Sequence, residues 1–559
     1  MNARAAHDAN ESETRSHVNL RGPIVIFSVV PLCIVFFQLF GEAAFQWGRG
    51  YRWLASEISL WLGLIGLIFW MGVRSGFSGR VRLVGSLMPL ISLIAFFSIF
   101  AFKRDGDLIP YGVRLRWAKT VIDDAADVKP DKSIEIETDT ASDERPSFDQ
   151  FLGSNRDGIV RDVHLERDWT KHPPRELWRQ PIGGGYSSFS IVKEYIFTQE
   201  LRGEQECVSC YELLTGKTVW RRKTEDFFQS NWTGGGPRAT PTIDGDRLYA
   251  VGGEGGLYCL EAATGEVVWS TQILKPYEAE NTKFGKSCSP LILDKKVIVT
   301  GGGTNGPSLI AYEKETGDMV WKSSWGDKPD DQGTIYNSYA SPVLVSLHGV
   351  PQILNMEDKG VASYEPETGE QLWTFDWPWE DVEPKVAQPV VVADNRIFVS
   401  AAYASGCAVF EVRRADDGMM ATELVWDSRR LKTKFSNVVV HEGFVYGLHD
   451  RVLSCLDLRD GKKQWAGGRY GHGQILMVDD LILVVGEMGE VALVEATPSE
   501  HRELGRFQAL NDRTWNSPAI SIPGDNDAVA HLLLRNDQEA MCYGLARRAT
   551  QQQDEVTKK

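Results

Sequence analysis

The chain has 559 residues, 43% of them hydrophobic, and a formal net charge of −16. This length allows more than one domain, and the hydrophobic share is sufficient for a sizeable packed core. The acidic balance argues against nucleic-acid binding, because proteins that hold phosphate backbones need clustered positive charge.

The N-terminal part contains three apolar runs, at residues 22–40, 58–73 and 83–102. Their length and lack of charge predict three transmembrane helices within a membrane domain at 22–102. Arginines in residues 1–21 and in the loop 74–82 favour a cytoplasmic position for both segments, which makes residues 1–21 a cytoplasmic tail. Five cations after the third run oppose this orientation: Lys103, Arg104, Arg114, Arg116 and Lys119.

Two segments have a largely polar composition, which is typical of chain segments that do not fold on their own. Residues 103–150 form a linker that is rich in Asp and Glu over its second half, which predicts a solvated, extended tether. Residues 547–559 are polar and are expected to be disordered.

A ten-residue phrase that ends in Thr-Gly-x-x-x-Trp occurs four times between the linker and the tail. Its copies are Tyr211–Trp220, Leu260–Trp269, Tyr312–Trp321 and Tyr364–Trp373. Each copy predicts two strands around a tight turn, with the glycine in the left-handed conformation. Looser copies end at Trp426 and Trp465, and two further strand-like runs precede each copy.

The repeating unit is therefore four antiparallel strands, which is the size of a propeller blade. Blade-opening strands begin near Ser188, Thr240, Ser289, Ser341, Gln388, Ser436, Gln474 and Ser517. The eighth unit lacks a strand with Trp, and such a strand stands upstream at Trp178. We therefore predict an all-β, eight-bladed propeller over 151–546 whose last blade is completed by the N-terminal strand.

The Thr-Gly-x-x-x-Trp phrase resembles the tryptophan-docking repeat of the PQQ-like (quinoprotein) β-propeller family. The segment Gly153-Ser-Asn-Arg-Asp-Gly158 is similar to the family's entry sequence. The resemblance implies that a structural Trp docks between neighbouring blades, at Trp178, Trp220, Trp269, Trp321, Trp373, Trp426 and Trp465. The family includes PQQ-dependent dehydrogenases and cofactor-free scaffolds such as the propeller lipoprotein of the outer-membrane assembly machinery, so the fold does not decide the function. These scaffolds usually lie outside the cytoplasm, which implies a bacterial inner-membrane protein with an extracytoplasmic propeller.

The cysteines and histidines do not have the spacing of a metal or redox site. Cys210, Cys259, Cys455 and Cys542 occupy one repeat position that other blades fill with small residues, so we interpret them as core residues. The chain has no Cys-Cys dipeptide, no haem motif and no Asp-rich calcium loop. We therefore expect no catalytic residues and no metal site, with PQQ and Ca²⁺ needed only if the chain is a quinoprotein.

A ligand of a propeller is expected in the funnel around the axis, where the innermost strands begin. The candidate funnel residues are Tyr186, Ser187, Arg238, Thr240, Lys286, Tyr339, Ser341, Lys385, Gln388, His472, Trp515 and Asn516. Their hydroxyls, amides, aromatic rings and cations suit a polar or anionic ligand. The alternative is that small side chains only fit a crowded axis and bind water.

The sequence is compatible with three functions. The first is a membrane-tethered scaffold or sensor that binds a protein or peptide and has no catalytic activity. The second is a PQQ-dependent alcohol or sugar dehydrogenase. The third is a polysaccharide-binding module that uses the tryptophans outside the repeat, Trp377, Trp379 and Trp515.

Overall fold

The computed structural model describes residues 20–45, 49–107, 109–117, 126–130, 148–230, 233–302, 306–324, 339–377, 385–402, 405–522, 524 and 528–548. The chain divides into two compact units, Met1–Lys119 and Thr120–Lys559. Outside the described residues lie 1–19 of the predicted tail 1–21, 549–559 of the predicted tail 547–559, most of the acidic tether, and Trp379.

The first unit contains three helices, α1 Arg21–Phe45, α2 Arg49–Val73 and α3 Gly79–Ile99. Each includes a window that is long and apolar enough to cross a membrane. Helix α2 begins nine residues before the predicted span, because it includes Arg52 and Glu57, which the apolar pattern left out. Its Glu57 carboxylate accepts two hydrogen bonds, of 3.0 and 2.9 Å, from the guanidinium of Arg104.

The third span differs from its prediction at both ends. Helix α3 begins at Gly79 and stops at Ile99, whereas the predicted run covered 83–102. The chain continues directly as a hairpin of β1 Phe100–Arg104 and β2 Pro110–Leu115. Part of the segment predicted as linker is therefore an ordered two-stranded sheet.

The second unit is an eight-bladed propeller of antiparallel sheets, as predicted. Two short strands, β3 Ile159–Val160 and β4 Arg175–Pro181, precede the blades. Blades 1 and 2 consist of β5 Ser190–Val192, β6 Tyr195–Arg202, β7 Gln205–Glu212, β8 Thr218–Lys223, β9 Thr242–Asp244, β10 Arg247–Val251, β11 Gly256–Glu261 and β12 Val267–Gln272. Blades 3 and 4 consist of β13 Leu291–Leu293, β14 Lys296–Thr300, β15 Leu309–Glu313, β16 Met319–Ser323, β17 Val343–Leu347, β18 Val350–Met356, β19 Gly360–Tyr364 and β20 Gln371–Asp376.

The remaining four blades follow in chain order. Blades 5 and 6 consist of β21 Val390–Ala393, β22 Arg396–Ala401, β23 Gly406–Arg414, β24 Met420–Ser428, β25 Val439–His441, β26 Phe444–His449, β27 Val452–Asp457 and β28 Lys463–Gly467. Blades 7 and 8 consist of β29 Gln474–Val478, β30 Leu481–Val485, β31 Glu490–Glu495, β32 Glu503–Gln508, β33 Ala519–Ile520, β34 Val529–Arg535 and β35 Glu539–Ala546.

The ring closes as the sequence predicted. Strand β4 forms the outer edge of blade 8 and pairs with β35, with Trp178 opposite Cys542. This closure joins the two ends of the propeller through backbone hydrogen bonds and leaves no open interface between the first and last blades.

Tryptophans at the repeat position connect neighbouring blades. Each indole N–H donates to a backbone carbonyl in the hairpin of the next blade: Trp178 to Leu213 at 2.8 Å, Trp220 to Ala262 at 3.0 Å, Trp269 to Lys314 at 2.9 Å, Trp321 to Pro366 at 3.2 Å, Trp426 to Leu458 at 2.9 Å and Trp465 to Thr497 at 2.8 Å. The core thus lies between blades, since buried apolar residues of adjacent sheets form joint clusters.

Trp373 departs from this pattern. Its indole donates to the side chain of Gln352 in its own blade, at 2.7 Å. The next blade replaces the Thr-Gly turn with a longer one around Asp417, so the usual acceptor is not in place. Trp373 instead packs edge-on against Phe410 of blade 5, with ring centroids 5.8 Å apart.

Candidate functional site

The funnel along the propeller axis is crossed at one end by the chain itself. The segment Phe148–Leu165, which we call the strap, forms hydrogen bonds with innermost strands on both sides of blade 8. The carbonyls of Phe148 and Asp149 accept hydrogen bonds from β5 and β9, and those of Gly158 and Val160 accept from β29 and the residue after it. These bonds of 2.7 to 2.9 Å reach blades 1, 2 and 7.

A buried arginine ties the middle of the strap to a further blade. The Arg156 guanidinium donates to the carbonyls of Ser289 and Pro290 in blade 3, at 2.9 Å each. Burial lowers the pKa of Arg156 to about 10, so the group stays charged at neutral pH. The strap therefore narrows this end of the funnel. We call the opposite end, where the innermost strands begin, the mouth.

A belt of polar residues surrounds the axis between the strap and the mouth. The backbone N–H of Ser188 donates to Thr240 Oγ1, that of Thr240 to Ser289 Oγ, and that of Ser289 to Ser341 Oγ, at 2.9 to 3.0 Å. Gln388 N–H continues the pattern by donating to Asn437 Oδ1 at 2.8 Å. Thr240 and Ser341, both candidate site residues, are thus buried links between blades.

Gln388 stands out within this belt. It is only 3% exposed, and neither heteroatom of its side-chain amide has a hydrogen-bonding partner among the described residues. A buried amide without partners costs free energy. The Gln388 side chain therefore offers one donor group and one acceptor to a polar group or a water on the axis.

The mouth is lined by the residues two positions before the belt, because alternate residues of a strand point to the same side. These residues are Tyr186, Arg238, Ser287, Tyr339, Val386, Phe435, His472 and Trp515. All are partly exposed except His472, which is buried. Five of the candidate funnel residues therefore stand at the mouth: Tyr186, Arg238, Tyr339, Trp515 and the buried His472.

Aromatic rings and guanidinium groups alternate around one side of this mouth. Trp515 contacts Tyr186 and Phe435, with ring centroids 5.4 and 4.6 Å apart. The guanidinium of Arg513 lies 4.1 Å from the Trp515 ring centroid and donates to the Tyr186 hydroxyl at 2.9 Å. Arg238 lies 5.0 Å from the same Tyr186 ring. Burial lowers the pKa of Arg238, yet an arginine remains charged at neutral pH.

The structure brings Arg513 and Phe435, which the sequence analysis did not name, to the mouth, and it turns the candidates Lys286 and Lys385 away from the mouth. Lys286 and Lys385 stand three positions before the belt, so the strand directs them into the blades. Lys286 donates to Thr300 Oγ1 at 3.0 Å, and Lys385 forms an ion pair with Asp358 at 2.5 Å. Counting back two residues from each belt position identifies Phe435, whereas Arg513 lies in a loop and carries no repeat signal.

The remaining candidates are parts of the scaffold behind the mouth. Ser187 Oγ accepts the backbone N–H of Gln199 at 3.1 Å. Asn516 donates its amide N–H groups to the carbonyls of Gly185 and Ser187, at 3.1 and 2.8 Å. Both residues hold the backbone that presents Tyr186.

A buried carboxyl group lies close behind this surface. Glu357 accepts hydrogen bonds from Asn355 Nδ2 at 2.6 Å and from the Tyr364 hydroxyl at 3.2 Å. Burial is the largest cause that raises its pKa, to about 8. Glu357 is therefore protonated at neutral pH in the folded protein, although it ionises near its usual pKa when unfolded.

We expect Glu357→Gln to change how stability depends on pH. Because the folded-state pKa is raised above 4.5, the wild-type protein loses stability as pH rises from about 4.5 to 8, and the variant does not. The variant should therefore gain at least about 1 kcal/mol on the wild type over this range. Urea unfolding at pH 5 and pH 8.5 measures this difference, with the exposed Glu370→Gln as control. Equal pH slopes for Glu357→Gln and the wild type contradict it.

The described residues at the mouth do not supply the ligands that Ca²⁺ with PQQ would need. Calcium needs several oxygen ligands, commonly carboxylates, and the described residues contain no group of three or more candidate metal ligands. The largest ring at the mouth, Trp515, has its face covered by Arg513 at 4.1 Å. The described residues of the mouth therefore form no calcium cradle, and one face of Trp515 is occupied by Arg513.

The tryptophans outside the repeat do not form a sugar-binding platform in the described part of the chain. Trp377 is buried in the core between blades 4 and 5. Trp515 is at the mouth, with Arg513 against its face.

Comparison with known proteins relates the propeller to two kinds of protein. Residues 204–467 match a family model described as outer membrane protein assembly factor BamB. BamB from Burkholderia pseudomallei is 24% identical over 327 residues, which is 55% of this chain and 78% of that protein. Quinoprotein alcohol dehydrogenase PedH from Pseudomonas putida is 27% identical over 145 residues, and this match spans 25% of this chain but only 22% of the enzyme.

Two solved structures were matched at low sequence identity, and the second of them shows the same fold. BamB from Moraxella catarrhalis is matched over 97% of its chain and 66% of this one, with a TM-score of 0.46 and 16% identity. The quinohemoprotein alcohol dehydrogenase of Comamonas testosteroni is matched over 82% of its chain and 74% of this one, with a TM-score of 0.51 and 12% identity. The protein therefore carries a PQQ-like β-propeller that is related to BamB and to the quinoprotein alcohol dehydrogenases.

Proposed function

We propose that this protein is a membrane-anchored scaffold that binds an acidic segment of a partner protein at the mouth of its propeller and has no catalytic activity of its own. The observation that carries this proposal is the mouth itself, where Arg238 and Arg513 are held against the rings of Tyr186 and Trp515. The strap narrows the other end of the funnel, so we place the partner at the mouth.

The chemistry of the mouth suits a carboxylate-bearing peptide. Arg513 and Arg238 are held by hydrogen bonds to Tyr186 and to backbone carbonyls, so little side-chain entropy is lost when they bind an anion. Arg, Trp and Tyr are the residues that most often dominate protein interfaces.

The three apolar helices support an anchor in a membrane. We place the propeller on the extracytoplasmic side of a bacterial inner membrane, because arginines in the 74–82 loop favour the cytoplasm for that loop. Protease digestion of right-side-out and inverted vesicles tests this orientation.

Photocrosslinking in the native membrane tests the scaffold function. A benzophenone amino acid placed at Tyr339, which lines the mouth, is expected to capture a partner. The same residue placed at Met419, an exposed turn of blade 5, is the control. Adducts from Met419 but none from Tyr339 overturn the proposal.

Charge reversal at the mouth adds a quantitative prediction. We expect Arg513→Glu to reduce capture from Tyr339 by roughly 30-fold, because a central arginine of an interface contributes about 2 kcal/mol. Arg413→Glu reverses an exposed charge on the rim of blade 5 and should leave capture unchanged. Equal capture by the wild type and Arg513→Glu contradicts the acidic-partner proposal.

The relationship to PedH keeps a PQQ-dependent dehydrogenase as the second candidate. It predicts that the purified protein binds PQQ in the presence of Ca²⁺ and then reduces an artificial electron acceptor with an alcohol or a sugar. An absent binding signal in such a titration excludes it.

A further inference from the structure

The hairpin β1–β2 separates apolar from basic side chains. Its register pairs Phe100 with Leu115, Ala101 with Arg114, Phe102 with Val113 and Lys103 with Gly112. Because paired residues of an antiparallel ladder point to the same side, Phe102 and Val113 share one face of the hairpin. Lys103 and Arg114 lie on the other face. This short sheet is therefore amphipathic across its two faces.

The hairpin is held by specific hydrogen bonds and follows helix α3 directly in the chain. Its return strand is fixed to the helix end by the Arg116 backbone N–H, which donates to the Ile99 carbonyl at 2.8 Å. Its turn is held by Asp105, whose carboxylate accepts the backbone N–H groups of Asp107 and Ile109 at 3.0 and 2.9 Å. The bidentate Arg104–Glu57 pair joins it to α2.

Large apolar side chains on this element face outward within the first unit. Val113 is 51% exposed and Trp117 is 63% exposed, and Tyr111 and Leu115 are exposed as well. An apolar set of this size is unfavourable in water and marks an interaction surface. Tyr and Trp are enriched where the acyl region of a bilayer meets the headgroups, and basic residues there attract anionic lipids.

We propose that the hairpin lies in the membrane surface and binds anionic phospholipid headgroups. Val113, Leu115 and the rings of Tyr111 and Trp117 face the acyl boundary, and Lys103 and Arg114 face the phosphates. This proposal rests on the membrane anchoring proposed above, because α3 delivers the hairpin to the surface. It also explains why cations follow the third span: they bind lipid headgroups and need not mark the cytoplasmic side.

The test uses the full chain in nanodiscs of phosphatidylcholine, with and without phosphatidylglycerol. An environment-sensitive fluorophore is attached at Val113→Cys in a Cys33→Ser background, since the other seven cysteines are buried. We expect a blue shift of emission that strengthens as phosphatidylglycerol is added. Lys103→Gln with Arg114→Gln should weaken the apparent affinity for phosphatidylglycerol about 25-fold, or about five-fold for each cation.

Two controls separate the possible outcomes. A fluorophore at Leu214→Cys, on an exposed turn of blade 1, should report water in both lipids, and a probe at Tyr111→Cys repeats the measurement if Val113→Cys does not fold. A probe that reports water, or a shift that is independent of phosphatidylglycerol or of the two cations, overturns the proposal. Loss of membrane anchoring itself is seen separately, as protein that does not co-migrate with the nanodiscs.

Discussion

Replacing Gly265 with alanine is expected to lower the free energy of unfolding by about 3 kcal/mol. This glycine has a φ of +70°, and a Cβ atom built on it lies 2.4 Å from Cε3 of the Trp220 ring. The left-handed conformation costs a residue with a Cβ about 1–2 kcal/mol, and forcing an extra methyl into a packed site costs about 1–3 kcal/mol. Urea unfolding followed by tryptophan fluorescence measures the loss.

Gly443→Ala is the matched control for this prediction. Gly443 has a φ of +82° in a hairpin turn, and nothing lies within 4 Å of its built Cβ. Its substitution therefore measures the conformational cost alone, and the difference from Gly265→Ala measures the contact with Trp220. If the two variants lose equal stability, the docking of Trp220 over the turn is not what requires glycine at this position.

The same contact explains why the fold was predictable from the sequence. Gly216, Gly317, Gly369 and Gly461 are each covered by the Trp of the preceding blade, as Gly265 is. A turn that must lie under a neighbouring indole has to keep both its glycine and its spacing to the next Trp. The contact that links neighbouring blades therefore requires a repeated sequence pattern. That pattern allowed us to predict eight blades and ring closure by the strand of Trp178.

The residues of the mouth were only partly predictable, because some lie at a fixed position in the repeat and others lie in loops outside it. Tyr186, Tyr339 and Trp515 keep a fixed distance of two residues from the belt, so strand alternation locates them. Arg513 lies in a loop outside any strand, and its contacts with Trp515 and Tyr186 place it at the site. Pattern reasoning has no means of finding such a residue.

The sequence was least informative about which surface each charged side chain lies on. The cations at 103–116 were weighed as topology signals, whereas the structure divides them among an ion pair with Glu57, a helix end and the basic face of a hairpin. The chain as a whole is acidic, yet the mouth of the propeller carries arginines. Local placement of charge, which depends on register and on loops, therefore decides what each surface can bind.

Glu200 is the buried charge whose removal is expected to cost most. It is fully buried on β6, with its carboxylate 3.0 Å from Arg202 Nε and 3.4 Å from Arg221 Nε. It also accepts the backbone N–H of Gly183 at 2.6 Å, on the segment that leads to Tyr186 at the mouth. We expect Glu200→Gln to lower the free energy of unfolding by about 3–5 kcal/mol, because two buried guanidinium groups then lose their counter-charge.

The pH dependence of the free energy of unfolding provides a control for the Glu200→Gln prediction. Burial raises the pKa of Glu200, but the two arginines and hydrogen bonds from Ser209 and Tyr211 outweigh it and hold the pKa at about 2. Since the folded-state pKa lies below 4.5, Glu200 stabilises the fold above pH 4.5 and loses this effect as pH falls towards 2. Glu200→Gln should therefore lose less stability than the wild type between pH 4.5 and 2.

Glu423→Gln, which removes an exposed pair with Arg413, should change stability by no more than about 1 kcal/mol at neutral pH. A similarly small loss for Glu200→Gln contradicts the assignment of Glu200 as the support behind Tyr186.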